Sequence, residues 1–199
     1  MGYDMRIRGT IDTDEARARK AADAECENFW KTHKAALLAS EHPDRERLRA
    51  EYAALWDKVR DLPDPFYFRL NAGGMGRFVG IMAALGMVHG SSSPVDRSEW
   101  PARPDDEDDE EAMAAYRQTR DALTARHTTA EPTIPSHKFG TNDGWIVTPD
   151  EIRAALQAWA DADKNALPLG IAEIRPVDYW DRWIAYLELA ATADGFEVH

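Results

Sequence analysis

Residues 66–85, FYFRLNAGGMGRFVGIMAAL, combine a strand pattern, a turn and an apolar helix. The run at 66–70 is short and aromatic, which favours a β-strand, and the Asn-Ala-Gly-Gly at 71–74 favours a turn. Beyond the turn, apolar side chains recur at helical spacing with few polar residues between them: Met75, Phe78, Val79, Met82 and Leu85. A helix that is apolar on all sides is a buried one, so this segment predicts the centre of the core.

Both ends of the chain carry a strand pattern of their own. Residues 3–8 alternate apolar and polar side chains, which places Tyr3, Met5 and Ile7 on one face. Residues 196–198 alternate in the same way. Because an isolated strand is not stable in water, we expect the two ends to pair, with residues 66–70 alongside them.

Five further segments show the apolar stripe of an amphipathic helix. The stripes predict helices at 14–39, 43–61, 111–126, 149–161 and about 180–191, and the short break near Pro43 predicts a helical hairpin. The expected fold class is therefore α+β and predominantly helical. About six helices surround one core, with a small sheet formed by the chain termini and residues 66–70, in a single domain over residues 1–199.

The charge of the chain is strongly acidic, with 36 acidic against 24 basic residues and a formal net charge of −12. Binding to a phosphate backbone needs clustered Lys and Arg, so we expect no direct binding to nucleic acid. Seven acids stand together at Asp105–Glu111, after a stretch of serine and proline. This composition predicts a mobile loop at 90–110, whose acids are either a solvated segment or a contact surface for a basic partner.

Several classes of protein and site have no signal in the sequence. No apolar run approaches the roughly 20 residues of a membrane helix, and no signal-peptide pattern is present, so a cytoplasmic protein that does not bind membranes is expected. Cys26 is the one cysteine, which leaves no disulfide or cysteine cluster. Residues 161–165 begin like a calcium loop, but Ala166 and Pro168 break the pattern. We expect no metal and no cofactor.

One loop gathers polar groups of varied type. Residues 136–145 hold His137, Lys138, Asn142 and Asp143 together with two glycines. Loops on a rigid scaffold often carry binding groups, so a small ligand is expected where this loop approaches the first strand and the 67–71 segment. In that segment the side chains that share one face are the candidates Tyr67, Arg69 and Asn71.

A structural interpretation of the same residues remains open. In it the loop is a tight turn whose Asn and Asp bond their own backbone, and Arg69 pairs with a nearby acid. No catalytic residue can be assigned.

Four blocks of the sequence carry a resemblance: GYDM at 2–5, YFRLN at 67–71 with Gly74 and Met75, HKFGTNDGW at 137–145 and GFEVH at 195–199. Together they resemble a set of uncharacterised proteins from actinobacteria and their phages. The resemblance implies an origin in a phage or its host. It implies no activity and no catalytic residue.

Two hypotheses on function follow. The first is a non-enzymatic cytoplasmic factor, such as a phage or host accessory regulator, that binds another protein, with a basic protein as one option. The alternative is a small enzyme or ligand-binding protein that uses the polar loop 137–145. Whether the chain is an enzyme, and whether it forms a homo-oligomer, is left open by the sequence.

Overall fold

The computed structural model describes residues 2–106, 108–125, 131–162 and 178–199. Contacts between Cα atoms group the chain into two compact units. The helical unit is Ile11–Phe66, and the sheet unit combines Met1–Thr10 with Tyr67–His199. The expected single domain stays a prediction, which the number of unfolding transitions tests.

The helical unit is the predicted antiparallel hairpin. Its two helices are α1 (Asp14–Leu38) and α2 (Arg45–Asp61). Helix α1 begins at an N-cap, because the hydroxyl oxygen of Thr13 accepts a hydrogen bond from the backbone N–H of Ala16. Between the helices lies a small apolar core of Ala22, Cys26 and Val59.

The sheet unit contains six strands among its described residues. They are β1 (Gly2–Ile7), β2 (Tyr67–Asn71), β3 (Val88–His89), β4 (Ile134–Pro135), β5 (Trp145–Val147) and β6 (Phe196–Val198). Four of them form an antiparallel sheet in the order β2-β1-β6-β5, while β3 and β4 form a separate parallel pair. The two chain ends therefore pair as expected, with Met5 opposite Val198 and β2 on the other side of β1.

Strand β5 is a part of the sheet that the sequence does not predict. Its three residues, 145–147, are all buried, so they show no alternation between an inner and an outer face. The strand exists because it pairs with β6, with Trp145 opposite Val198 and Val147 opposite Phe196. Its partner β6 lies more than forty residues away along the chain, so the local sequence around residues 145–147 does not predict the pairing.

Four helices complete the sheet unit: α3 (Ala72–Ala84), α4 (Glu110–Ala125), α5 (Pro149–Asp161) and α6 (Asp178–Ala191). With α1 and α2 they make six α-helices in the described residues, so the α+β, predominantly helical fold class is confirmed. The core includes a cluster of aromatic rings. Trp183 is fully buried and lies between Phe68 at 5.1 Å, Tyr186 at 5.6 Å and Phe196 at 5.9 Å between ring centroids.

The segment before α4 contains packed side chains as well as acids. Val95 is buried, and the rings of Trp100 and Trp145 meet edge to face with their centroids 4.8 Å apart. Asp109 accepts a hydrogen bond from the backbone N–H of Ala112, so one acid of the run caps α4. The mobility expected for 90–110 stays a prediction. Most of the calcium-like stretch after Asp161 lies outside the described residues, which resume at 178.

Candidate functional site

The polar loop starts from a rigid base. Residues Ser136–Phe139 form a short 3-10 helix, and its Phe139 is buried in the core. Lys138 is 5% exposed, and its Nζ donates to the carbonyl of Ile146 at 2.6 Å and to both carboxylate oxygens of Glu151 at 2.7 and 2.8 Å. Burial lowers the pKa of Lys138, and the neighbouring Glu151 carboxylate offsets that effect only in part. Lys138 therefore fastens the loop to the start of α5.

His137 is also part of this base. Its side chain is buried, its ring centroid lies 4.6 Å from that of Trp145, and its Nδ1 is 2.8 Å from the hydroxyl oxygen of Ser91. The backbone N–H of His137 also donates to that oxygen, at 3.3 Å. The imidazole thus joins the loop to the segment that precedes α4.

The tip of the loop reaches strand β1 through two hydrogen bonds. The hydroxyl of Tyr3 donates to the carbonyl of Gly140 at 3.3 Å, and the amide of Asn142 donates to the carbonyl of Gly2 at 2.9 Å. At the end of the tip, Gly144 adopts a φ of +83°, a conformation that favours glycine. Its backbone N–H donates to Val198, which places β5 beside β6.

A pocket of about 380 Å³ opens between this tip and its neighbours. Its apolar wall comes from three separate segments and consists of Tyr3, Ala72, Val95 and Trp100. Its polar wall comes mainly from the loop tip and consists of Ser93, Gly140, Thr141, Asn142 and Asp143. Because Ala72, Thr141 and Asn142 are exposed, the mouth of the pocket faces solvent. We call this the loop pocket.

The structure separates the seven predicted site residues into three groups. Asn142 and Asp143 line the loop pocket. His137 and Lys138 lie buried at the base of the loop, in the contacts described above. The three residues of β2 form the third group.

In the β2 group each side chain has a local partner. The hydroxyl of Tyr67 donates to the Asp4 carboxylate, and Nε of Arg69 lies 3.5 Å from it. Asn71 is the N-cap of α3, accepting from the backbone N–H of Gly74 at 2.6 Å. Strands β2 and β5 are the outer strands of the sheet, roughly 14 Å apart.

Sequence reasoning missed the wall that comes from residues 93–100. Val95 and Trp100 lie in a stretch of serine, proline and acids whose composition predicts a loop without a role in packing. The presence of a valine and a tryptophan in an otherwise polar segment could have indicated these two residues, because such side chains are often buried against another part of the protein.

An ionic cluster around the buried Arg120 supports the sheet. Arg120 is 3% exposed, and its Nη2 donates to the Glu197 carboxylate at 2.7 Å. That carboxylate also lies 2.9 Å from Nε2 of His199 and 3.5 Å from Nε of Arg8. Burial acts to raise the pKa of Glu197, but the hydrogen bond from His199 and the charges of Arg120, His199 and Arg8 outweigh it and leave the pKa lowered.

We expect the Glu197 cluster to make stability depend on acid pH. A lowered pKa in the folded state stabilises the protein fully above the unfolded value of about 4.3, and the effect is lost as pH falls through the folded pKa. The free energy of unfolding should therefore fall more steeply between about pH 5 and pH 3 for the wild type than for Glu197→Gln. Urea unfolding at a series of pH values measures this, with the exposed Glu188→Gln as control. Parallel curves for the wild type and Glu197→Gln would contradict it.

Comparison with protein-family models, with curated proteins and with solved structures finds no match to this chain. Within the described part of the chain, no group of three or more His, Cys, Asp or Glu side chains could hold a metal ion. None of the helices there is both long enough and apolar enough to cross a membrane.

Proposed function

We propose that this protein acts by binding another protein, and that the loop pocket receives a segment of that partner. The observation that carries the proposal is the pocket itself, a concave site of about 380 Å³ with aromatic side chains and a polar rim. Its volume lies within the usual range of about 300–1,000 Å³ for ligand pockets. Tryptophan and tyrosine, here Trp100 and Tyr3, are the residue types that most often dominate binding energy at protein interfaces.

Three residues of the pocket wall are held by contacts within the protein. Tyr3 and Asn142 are held by the hydrogen bonds between the tip and β1, and Trp100 packs against the buried Trp145. A site that is already ordered loses little conformational entropy on binding, which favours affinity. The open mouth lets a segment of a large partner enter without any part of the chain closing over it.

Blocking the pocket should abolish binding while leaving the fold intact. Ala72 lines the pocket and is exposed, so Ala72→Phe adds bulk there without removing a buried contact. Ala83→Phe, at an exposed position near the other end of the same helix, is the matched control. Peptides selected from a random library against the wild type should bind Ala83→Phe equally and Ala72→Phe at least about tenfold more weakly.

Peptide affinities measured by fluorescence polarisation decide this test. Equal affinity for Ala72→Phe and the wild type would refute the loop pocket as the binding site. Failure to select any peptide would refute the proposal as a whole. Melting temperatures of both variants, expected within a few degrees of the wild type, show that the fold is retained.

A second candidate function is a small hydrolytic enzyme, and one distance favours it. Ser91 and His137 lie with the hydroxyl oxygen 2.8 Å from Nδ1, which is the proximity that a serine nucleophile and its base require. Covalent labelling of the wild type by a fluorophosphonate, absent in Ser91→Ala, would support this function. No labelling of the wild type would dismiss it.

A further inference from the structure

We infer that the group which the loop pocket takes up is a cation, the ammonium or guanidinium of a basic side chain. The inference rests on the proposed function and names the chemistry of the partner segment. It follows from a comparison of two sets of polar groups in the pocket: those that already form hydrogen bonds within the protein, and those that can still form one with a ligand.

The hydroxyl donors of two pocket residues are used inside the protein. The hydroxyl of Tyr3 donates to Gly140, and the hydroxyl of Ser93 donates to the carbonyl of Val95 at 2.9 Å. A hydroxyl that has given its one proton retains only lone pairs. Tyr3 therefore offers acceptors to a ligand, and Ser93 offers the lone pair that remains after its oxygen accepts from the backbone N–H of Val95 at 3.4 Å.

The loop tip adds acceptors of its own. One N–H of the Asn142 amide is taken by Gly2, while its carbonyl oxygen accepts no hydrogen bond from the described residues. In the same part of the chain, nothing donates to the Asp143 carboxylate, which is half-buried in the pocket wall. An ionised carboxylate is a pure acceptor. Donors remain as well, namely the hydroxyl of Thr141, whose oxygen accepts from Nε1 of Trp145, and the second N–H of Asn142. The Asp143 carboxylate is the one full charge among the described residues of the pocket, and its negative sign fits a cationic donor.

Two further features act in the same direction. The faces of aromatic rings attract cations, and Trp100 and Tyr3 both line the pocket. The formal net charge of −12 also draws cations toward the chain from a distance.

Two nearby positive charges oppose a cation, and neither outweighs Asp143. The first turn of α3, at Ala72, carries about half an elementary charge, and the side chain of Asn71 already accepts one of its N–H groups. Arg69 lies beside Gly2, but its guanidinium faces the Asp4 carboxylate. Asp143 therefore determines the sign of the charge that the pocket prefers.

The test uses n-butylammonium and n-butylguanidinium, with butyrate and butanol as anionic and neutral probes of similar size. Titrations followed by NMR should show that the two cations shift the signals of Trp100 and Asn142, and that butyrate and butanol do not. Asp143→Asn should weaken cation binding about tenfold, whereas Asp105→Asn, an equal change of charge at an exposed site outside the pocket, should not change it. Added salt should weaken the interaction.

Peptide probes distinguish a partner's side chain from a free amine. The peptide Ac-Gly-Ser-Lys-Ser-Gly-amide should bind more tightly than n-butylammonium, and its norleucine counterpart should not bind. If the free amine binds as tightly as the lysine peptide, the cation is a small molecule and the inference in its present form is overturned.

Failure of this inference can be told apart from failure of the proposed function. Binding of butyrate or butanol in preference to the cations would overturn the inference. So would unchanged cation affinity in Asp143→Asn. In either case, library peptides that still lose affinity for Ala72→Phe would leave the proposed function standing.

Discussion

A chain that ends at Asp194 should not reach a stable fold. The deletion removes β6, which lies inside the sheet between β1 and β5. Phe196 and Val198 are both fully buried, and Glu197 neutralises the buried Arg120. Truncating one buried phenylalanine to alanine costs about 3–5 kcal/mol. The loss of the whole strand therefore approaches the net stability of a typical domain, about 5–15 kcal/mol.

Circular dichroism during heating measures the effect of this deletion. The truncated chain should show no cooperative transition in the near ultraviolet, where ordered aromatic rings give their signal. Phe196→Ala keeps the effect within a measurable range and should lower the free energy of unfolding by about 3–5 kcal/mol. Leu38→Ala, at a residue that is 63% exposed, is the control and should have little effect. A deletion variant that melts within two or three degrees of the intact chain would show that β6 is dispensable.

The second large effect concerns the ion pair of Lys138 and Glu151. Replacing Glu151 by Ala should lower the free energy of unfolding by about 3–5 kcal/mol, because the Lys138 ammonium would remain buried without a counter-charge. The same change removes the carboxylate that accepts from the backbone N–H of Thr148 at 2.8 Å. The loop at 136–145 and the first turn of α5 should therefore both be destabilised.

A double variant separates the effect of the ion pair from that of the helix cap. Lys138→Met combined with Glu151→Gln removes both charges and keeps an acceptor for the Thr148 N–H, so it should recover much of the stability lost in Glu151→Ala. The exposed pair of Arg153 and Asp150, on the same helix, is the control, and breaking it should have no measurable effect. If Glu151→Ala proves as harmless as that control, the pair does not hold the loop.

The fold was predictable wherever a residue pattern repeats along the chain. Residues 3–8 alternate and the helices carry apolar stripes, and both patterns are local, so one sequence is enough to read them. Strand β5 was not predictable, since its three buried residues have no period and its partner lies far along the chain. The packed side chains Val95 and Trp100 were concealed by the polar composition around them.

The sequence indicated the loop of the candidate site, but it did not distinguish the residues that line the pocket from those that are buried at the base of the loop. The varied polar residues at 137–143 indicated this segment, and two of them, Asn142 and Asp143, line the loop pocket. Composition does not reveal burial, however, and so it could not show that His137 and Lys138 point inward to partners on other elements. Nor could it show that Arg69 faces Asp4, which follows only from the register of β1 and β2.

The place of β6 between β1 and β5 also has a consequence during synthesis. A ribosome that adds about 5–20 residues per second needs roughly 10–40 seconds to pass from the end of β1 to β6. For that time β1 can pair with β2 only, and its other edge stays exposed in the nascent chain. The sheet is completed only after β6 has been synthesised, so a chaperone that binds exposed strand edges could bind the nascent chain in this interval.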